Sequence, residues 1–303
     1  MWREISAALL AFVVMFWNVE NLFDPFDDPL KNDDEFISGG ERHWSWPRFE
    51  KKCDGIAQTI LAAADEAGEL PALVGLAEVE NRMVVSHLVR KTMLSELGYG
   101  FVHRESPDER GIDVALLYRR DRFRVLAVDS LRVPGFATRD ILYVKGFCLG
   151  REAGAGADDS LHVFVVHLPS RRGGARASQL RRAAALERLG TAVDSLMLIN
   201  SGSRVVVMGD FNDTADGLGS SVLLRMEEGT PGTLKYHGRW EQIDHFFLSE
   251  SIFEQAQMQI FAAPFLMEPD KTYRGMKPRR TYNGPLYNGG LSDHLPIILR
   301  LFL

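Results

Sequence analysis

The run Val205-Val206-Val207-Met208-Gly209 is apolar at nearly every position and stops abruptly at Asp210-Phe211-Asn212-Asp213. An uninterrupted apolar run of this length reads as a strand buried on both faces, which requires a sheet covered on both sides. Gly209 lets the backbone pass close to whatever the Asp210 carboxylate serves. Taken alone, the stretch fits a strand followed by an Asx-rich turn as well as it fits the wall of an active site.

The same pattern recurs along the chain. Residues 12–17 run into Asn18-Val19-Glu20-Asn21, and Leu73-Val74-Gly75-Leu76-Ala77 runs into Glu78-Val79-Glu80-Asn81. Residues 161–166 deliver His167, followed by Leu168-Pro169-Ser170-Arg171-Arg172-Gly173-Gly174. Asp244-His245 lies within a fifth apolar run, and Ser292-Asp293-His294 precedes the last one. Strand alternation sends Asp244 and His245 to opposite faces, so only one of them points at a site, and His245 is taken as structural. So many polar groups at the ends of apolar runs are not expected by chance placement.

Helical spacing separates these runs. Pro47 begins a helix with Phe49, Cys53, Ile56, Ala57, Ile60 and Leu61 inward, ending near Gly68. A second helix is predicted over 83–97, closing at Gly98. A third, over 175–199, turns Leu180, Ala184, Leu186, Leu189 and Val193 to the core. Further strands are predicted at 99–103, 112–118, 123–133 and 141–149. The acidic stretch 24–40 reads as a solvated loop with no catalytic role, 106–111 as a turn and 154–159 as a connector.

At 303 residues and 46% hydrophobic content, the chain can bury a large core. We expect one domain over 11–303 and a monomer. The net charge of −6 argues against holding nucleic acid by bulk electrostatics, although a local basic patch is compatible with it. Lys277, Arg279 and Arg280 make 273–290 the most basic loop. Cys53 and Cys148 are too few for a disulfide framework. Residues 5–17 resemble the apolar part of an export signal but lack a cleavage site and are too short for a bilayer. Residues 1–10 are therefore read as a signal remnant or a disordered end, and the compartment stays open between cytoplasm and export.

Carboxylates and amides without a cysteine cluster suit a hard cation, Mg²⁺ or Mn²⁺, better than structural zinc. Imidazoles beside carboxylates suit proton transfer. Together these are the parts for hydrolysing a phosphate ester. Arg171 and Arg172 beside paired glycines suit phosphate, and with Arg279 and Arg280 of the basic loop they are candidate substrate contacts, each equally compatible with a solvated surface position. Arg110 and Asp113 either flank the site or serve a structural turn.

In this order, Trp17-Asn18-Val19-Glu20-Asn21, Gly75-Leu76-Ala77-Glu78-Val79-Glu80-Asn81, Val166-His167, Met208-Gly209-Asp210-Phe211-Asn212-Asp213, Ile243-Asp244 and Ser292-Asp293-His294-Leu295-Pro296 resemble the endonuclease/exonuclease/phosphatase superfamily. Arg110-Gly111-Ile112-Asp113-Val114-Ala115 and Arg280-Thr281-Tyr282-Asn283-Gly284 resemble a bacterial nuclease-like branch of it. The resemblance implies a DNase I-like four-layer α/β sandwich, two packed mixed β-sheets flanked by helices. It implies Glu78 as the principal metal ligand, supported by Asp293, with Glu20 adjacent and Asn18 close to the metal or the phosphate. Asp210 would position or deprotonate the attacking water, and Asn212 would hydrogen-bond the phosphate. His294, oriented by Asp244, would contact the phosphate or transfer a proton, and His167 would assist the leaving oxygen. Asp213 is left as a turn-stabilising residue. The expected function is a divalent-metal-dependent phosphodiester hydrolase, an endonuclease with DNA or RNA as substrate. The alternative is a phosphatase or phosphodiesterase on a small-molecule or lipid phosphoester. A catalytically dead binding module is disfavoured, because none of these positions carries an inert residue.

Overall fold

A computed structural model describes residues 11–149, 160–170, 175–214, 223–225 and 231–303. The terminal stretch 1–10, the connector 154–159 and the arginines Arg171 and Arg172 lie outside the described residues.

The first third contains β1 (Phe12–Leu22), α1 (Trp46–Ala67), β2 (Leu73–Val79), α2 (Arg82–Lys91), β3 (Tyr99–His103) and β4 (Asp113–Arg119). The middle contains β5 (Phe123–Leu131), β6 (Ile141–Cys148), β7 (Ser160–His167), α3 (Ala175–Ile199), β8 (Arg204–Asp210) and β9 (Leu223–Arg225). Then come β10 (Leu234–Tyr236), β11 (Arg239–Glu241), β12 (Asp244–Ser249), a one-turn α4 (Glu250–Phe253) and β13 (Ala256–Ile260). Small hairpins β14–β15 (Met267–Pro269, Met276–Pro278) and β16–β17 (Tyr282–Asn283, Leu286–Tyr287) precede β18 (Ile297–Leu301).

Twelve of these strands form two six-stranded mixed sheets, ordered β13-β18-β1-β2-β4-β3 and β5-β6-β7-β8-β12-β9. Alternation along β1 shows how they stack. Val13, Met15, Trp17 and Val19 face α1 and α2, whereas Phe12, Val14 and Phe16 meet Val163, Met208 and Phe246 of the other sheet. On the far side, Phe164, Val166, Val205 and Val207 pack under Leu189 and Val193 of α3. The result is the four-layer order helix, sheet, sheet, helix, with the central strands buried on both faces as their apolar runs require.

Helix α1 ends at Gly68, whose φ of 80° lets its N–H reach the Ala64 carbonyl. The second helix departs from the predicted 83–97. It stops at Lys91, and residues 93–97 form a separate 3-10 turn. Thr92 causes the break: its hydroxyl donates to Leu88 O at 2.6 Å and accepts from Leu94 N at 3.2 Å, closing one helix and capping the next. In α3, Leu180 is 61% exposed rather than inward. The buried stripe runs through Ser178, Arg182, Ala185, Leu189 and Val193, and residue 180 is out of phase with it. The loop 24–40 is also less solvated than its composition implies. Asp24 and Asp33 are buried because each caps backbone, accepting from Phe26 N and Asp28 N respectively. Among the described residues, no helix is long and apolar enough to cross a membrane.

Candidate active site

Strand register gathers the polar strand ends at one edge of the sandwich. In the second sheet Asp210 stands opposite His167 of parallel β7 and opposite Asp244 of antiparallel β12. In the first sheet Asn18 pairs in register with Ala77, just before Glu78. Both strands there break register, β1 between Asn18 and Leu22 and β2 between Ala77 and Val79. Glu20, Asn21 and Glu78 adopt left-handed backbone at these breaks, with φ of 48°, 54° and 61°. Such irregularities re-aim a side chain that a regular pleat would direct elsewhere. Asn212 follows the Asp210 strand end in the same conformation, at φ 50°.

Contacts at this edge join the sheets: Asn18 Nδ2 donates to Asp210 Oδ2 at 3.0 Å, and His167 Nε2 lies 3.9 Å from Glu78 Oε1. The Asn18 amide oxygen is taken by Glu20 N at 2.9 Å, so the cleft sees its NH₂. That NH₂ is aimed at a carboxylate of each sheet, Asp210 Oδ2 at 3.0 Å and Glu78 Oε1 at 3.5 Å. Loop 292–294 is fastened to β1 by Ser292 Oγ donating to Asn18 O at 2.6 Å and Trp17 Nε1 donating to His294 O at 2.9 Å.

His294 lies between two carboxylates. Its Nδ1 is 2.9 Å from Asp244 Oδ2 and its Nε2 is 3.8 Å from Asp210 Oδ2. Burial disfavours its cationic form, but Asp244 and Asp210 outweigh that and hold the ring well above the ordinary imidazole range. His167 is the opposite case. Burial and then the Arg139 guanidinium, 2.9 Å from its Nε2, press it well below that range, so it is neutral. Burial, reinforced by Asp244 and opposed by His294, raises the Asp210 carboxyl to about 7. Burial opposes ionisation of Glu78 too, but Arg110 leads the groups that outweigh it and lower its pKa to about 2.

Glu20 faces the same cleft with both oxygens engaged. Oε1 accepts from Arg280 at 2.9 Å and Oε2 from Thr281 N at 2.7 Å, while buried Lys52 donates to the Glu20 carbonyl. Arg280 also reaches Asp293 Oδ2 at 2.9 Å. Glu20, expected among the metal ligands, is thus committed to Arg280 and Thr281. Arg280, expected on substrate phosphate, spans two carboxylates. Arg279, expected beside it, points elsewhere, into a groove against Tyr287 and Leu291. Consecutive residues in extended backbone cannot share a face. Glu78 and Asp293 line the same cleft, Glu78 accepting from Asn21 N at 2.8 Å and Asp293 from Arg280, and Asp210, Asp244 and His294 form a further set with ligand atoms within 4.8 Å of one another. A set of one or two carboxylates, leaving positions for water and substrate oxygens, fits Mg²⁺.

Asn212 donates from Nδ2 to Leu168 O at 3.0 Å, tying the turn after β8 to the one after β7. Arg182 of α3 spans the same turns through Pro169 O and Asp213. His245 points to the other face, with Nε2 3.1 Å from Asp213 O. Asp113 is buried near His103 and Ser106, away from the cleft.

The cleft has a volume of about 560 Å³. From the strand-end cluster it extends beneath two hairpins that present Lys235, Tyr236, His237, Tyr273 and Lys277. Tyr236 and Tyr273 are 59% and 49% exposed. Sequence reasoning named the 273–290 side of this wall only as a basic loop, missed Lys235, Tyr236, His237, Arg139 and Lys52, and left Arg110 ambiguous. Arg139 follows no apolar run, and the one signal near Arg110 is its place beside Gly111 and Asp113.

A DNase I-like four-layer sandwich with amides, carboxylates and imidazoles converging at one sheet edge is the class that fold and site define. The chain belongs to the Endonuclease/Exonuclease/phosphatase family, whose sequence profile it matches over residues 13–223 and 218–302. Truncated TDP2 from Caenorhabditis elegans superposes with a TM-score of 0.62 at 17% identity, covering 97% of this chain and 98% of that one. D. rerio TDP2 complexed with a single-strand DNA product gives 0.55 at 15% identity, covering 96% and 98%. The mannosyl-6-phosphatase Bt3783 of Bacteroides thetaiotaomicron gives 0.59 at 15% identity, covering 96% and 99%. At these identities the likeness is one of fold. No curated protein matches the sequence.

Proposed function

We propose that the protein is a divalent-metal-dependent phosphodiester hydrolase that cleaves nucleic acid as an endonuclease. The observation that carries this reading is the continuity of the cleft from the Asp210, His294 and Glu78 cluster to the wall of Tyr236 and Tyr273. A scissile phosphate at the cluster leaves its neighbouring nucleotides beside the exposed aromatic faces of Tyr236 and Tyr273, the surface on which bases stack.

Within the cluster, Asp210 accepts the proton of the attacking water, since a carboxyl near 7 is matched to neutral pH. His294, cationic and held by Asp244, donates a charge-assisted hydrogen bond to the phosphoryl oxygens as negative charge builds. The Asn18 NH₂ does the same from the first sheet. Asn212 holds the turn that presents Asp210 and faces the phosphate beside it. His167, backed by Arg139, hydrogen-bonds the leaving oxygen. Glu78 and Asp293 would hold Mg²⁺ or Mn²⁺, which supplies charge neutralisation at the phosphoryl and leaving oxygens. Glu20 positions Arg280, and through it Asp293. Net acidity and the pairing of Lys235 with Asp270 at 2.9 Å and of Lys277 with Glu268 at 3.3 Å favour a second reading, a small phosphoester as substrate.

Purified protein with Mg²⁺ is tested on supercoiled plasmid, single-stranded DNA, RNA and a panel of small phosphoesters, with Glu78→Gln as control. Nicking by the wild type and none by Glu78→Gln is expected. Turnover of the small esters alone would overturn the nuclease reading in favour of the second.

A further inference from the structure

Away from the cleft, the end of β3 and the start of β4 bring together His103, Glu105 and Asp113. One nitrogen of His103 and one oxygen from each carboxylate all lie within 4.8 Å of one another. His103 Nδ1 is 3.6 Å from Glu105 Oε1, and Nε2 is 3.7 Å from Asp113 Oδ2. Both separations are too long for hydrogen bonds. The two ring nitrogens point in diverging directions, so one ion can take only one of them; the Nε2 to Asp113 separation approaches the ligand-to-ligand edge of a tetrahedral site, about 3.3 Å for bonds of about 2 Å.

Two further observations bear on this cluster. The His103 and Asp113 side chains are 1% and 3% exposed, and His103 Nε2 has no hydrogen-bond partner among the described residues. A buried imidazole nitrogen left unsatisfied calls for an explanation, and a missing ion is a standard one. Glu105, with its side chain 58% exposed, leaves an open approach from solvent.

We propose that His103, Glu105 and Asp113 form a second divalent-metal site, distinct from the catalytic cleft and selective for a borderline first-row ion such as Zn²⁺. One imidazole and two carboxylates favour such an ion over Mg²⁺ or Ca²⁺, which take oxygen ligands almost exclusively. The site clasps both ends of the loop 104–112. Within that loop Asp108 pairs with Arg139 at 3.1 Å, Arg139 in turn contacts His167, and Arg110 reaches Asn21 beside the cleft. An ion there braces the loop that carries Arg110 and, through Asp108, holds Arg139 in place.

The test is calorimetric titration of the full chain with Zn²⁺ at pH 7, in a Glu78→Gln/Asp293→Asn/Asp244→Asn/His294→Gln background that disables both sets of candidate ligands in the cleft. One saturable Zn²⁺ per chain is expected to remain, with a rise in Tm on binding. Adding Glu105→Ala, an exposed change that leaves the fold intact, is expected to weaken binding at least about tenfold, and His103→Gln at least as much. Loss of even an outer partner typically costs about 10- to 100-fold. Absence of saturable binding in the cleft-disabled protein, or unchanged affinity on adding Glu105→Ala, overturns the proposal.

Discussion

Gly209 sits where β7 and β8 run in parallel, in register with Val166 and one residue before Asp210. A Cβ at this position would lie 2.3 Å from Val166 O and 2.9 Å from Val166 C. These are backbone atoms of the adjacent central strand, so no rotamer change relieves the clash. Restoring the tightest tolerable contact, 3.0 Å, opens the two strands by about 0.7 Å at the point where His167 faces Asp210. Overpacking of this kind typically costs about 1–3 kcal/mol. At about 2–4 °C per kcal/mol for a large domain, Gly209→Ala should lower Tm by about 2–12 °C. Misplacement approaching 1 Å beside a reacting centre costs about 10²-fold in rate, so turnover should fall by one to two orders of magnitude in protein that is still folded. Gly75→Ala is the internal comparison. Its Cβ would meet Met208 Sδ at 2.8 Å and Phe16 Cδ2 at 3.1 Å. These are side-chain atoms, and an unbranched thioether can move aside. Gly75→Ala should therefore cost less stability and little turnover. Scanning calorimetry and initial rates on the best substrate decide it. Equal losses in the two variants, or a Gly209→Ala protein matching the wild type, would refute the assignment of the close strand contact to site geometry.

Other outcomes follow from single contacts. Asp244→Asn removes the anion that keeps His294 charged, and kcat should fall about 10²-fold or more with KM little changed, as measured by steady-state kinetics. Thr92→Ala deletes both hydroxyl contacts at the break after α2 and should cost about 1 kcal/mol, seen as a lower urea midpoint. The Cys53 thiol is fully buried, and burial pushes it far above its usual range, whereas Cys148 is half-buried. Titration with a thiol reagent at pH 8 should modify Cys148 in the folded protein and Cys53 only after denaturation.

What was legible beforehand was the set of strand ends. Apolar runs in buried parallel strands are long enough to read without context, and alternation separates Asp244 from His245, as β12 then shows. What could not be read was which charged group each of these residues would meet. Arg139 comes from a loop between β5 and β6 and reaches His167 only because β7 pairs with β6. Glu20 reads as equivalent to Glu78 from its strand end, yet Arg280, 260 positions away, occupies it. Asp24 and Asp33 look solvated by composition, and their burial depends on backbone amides folding back onto them. Thr92 shows the same limit within one helix, where a hydroxyl turned onto its own backbone overrides apolar spacing.

The left-handed backbone at Glu20, Asn21, Glu78 and Asn212 also makes the cleft a poor target for stability engineering. Side chains held in this conformation typically cost about 1 kcal/mol or more each, and glycine would relieve that strain. A library sorted by heat resistance alone would therefore drift towards glycine at Glu20 and Glu78, since asparagine at 21 and 212 tolerates this conformation. Variants enriched in that way would be sturdier proteins in which Glu20 and Glu78 had been traded away, so any such screen has to be coupled to turnover from its first round.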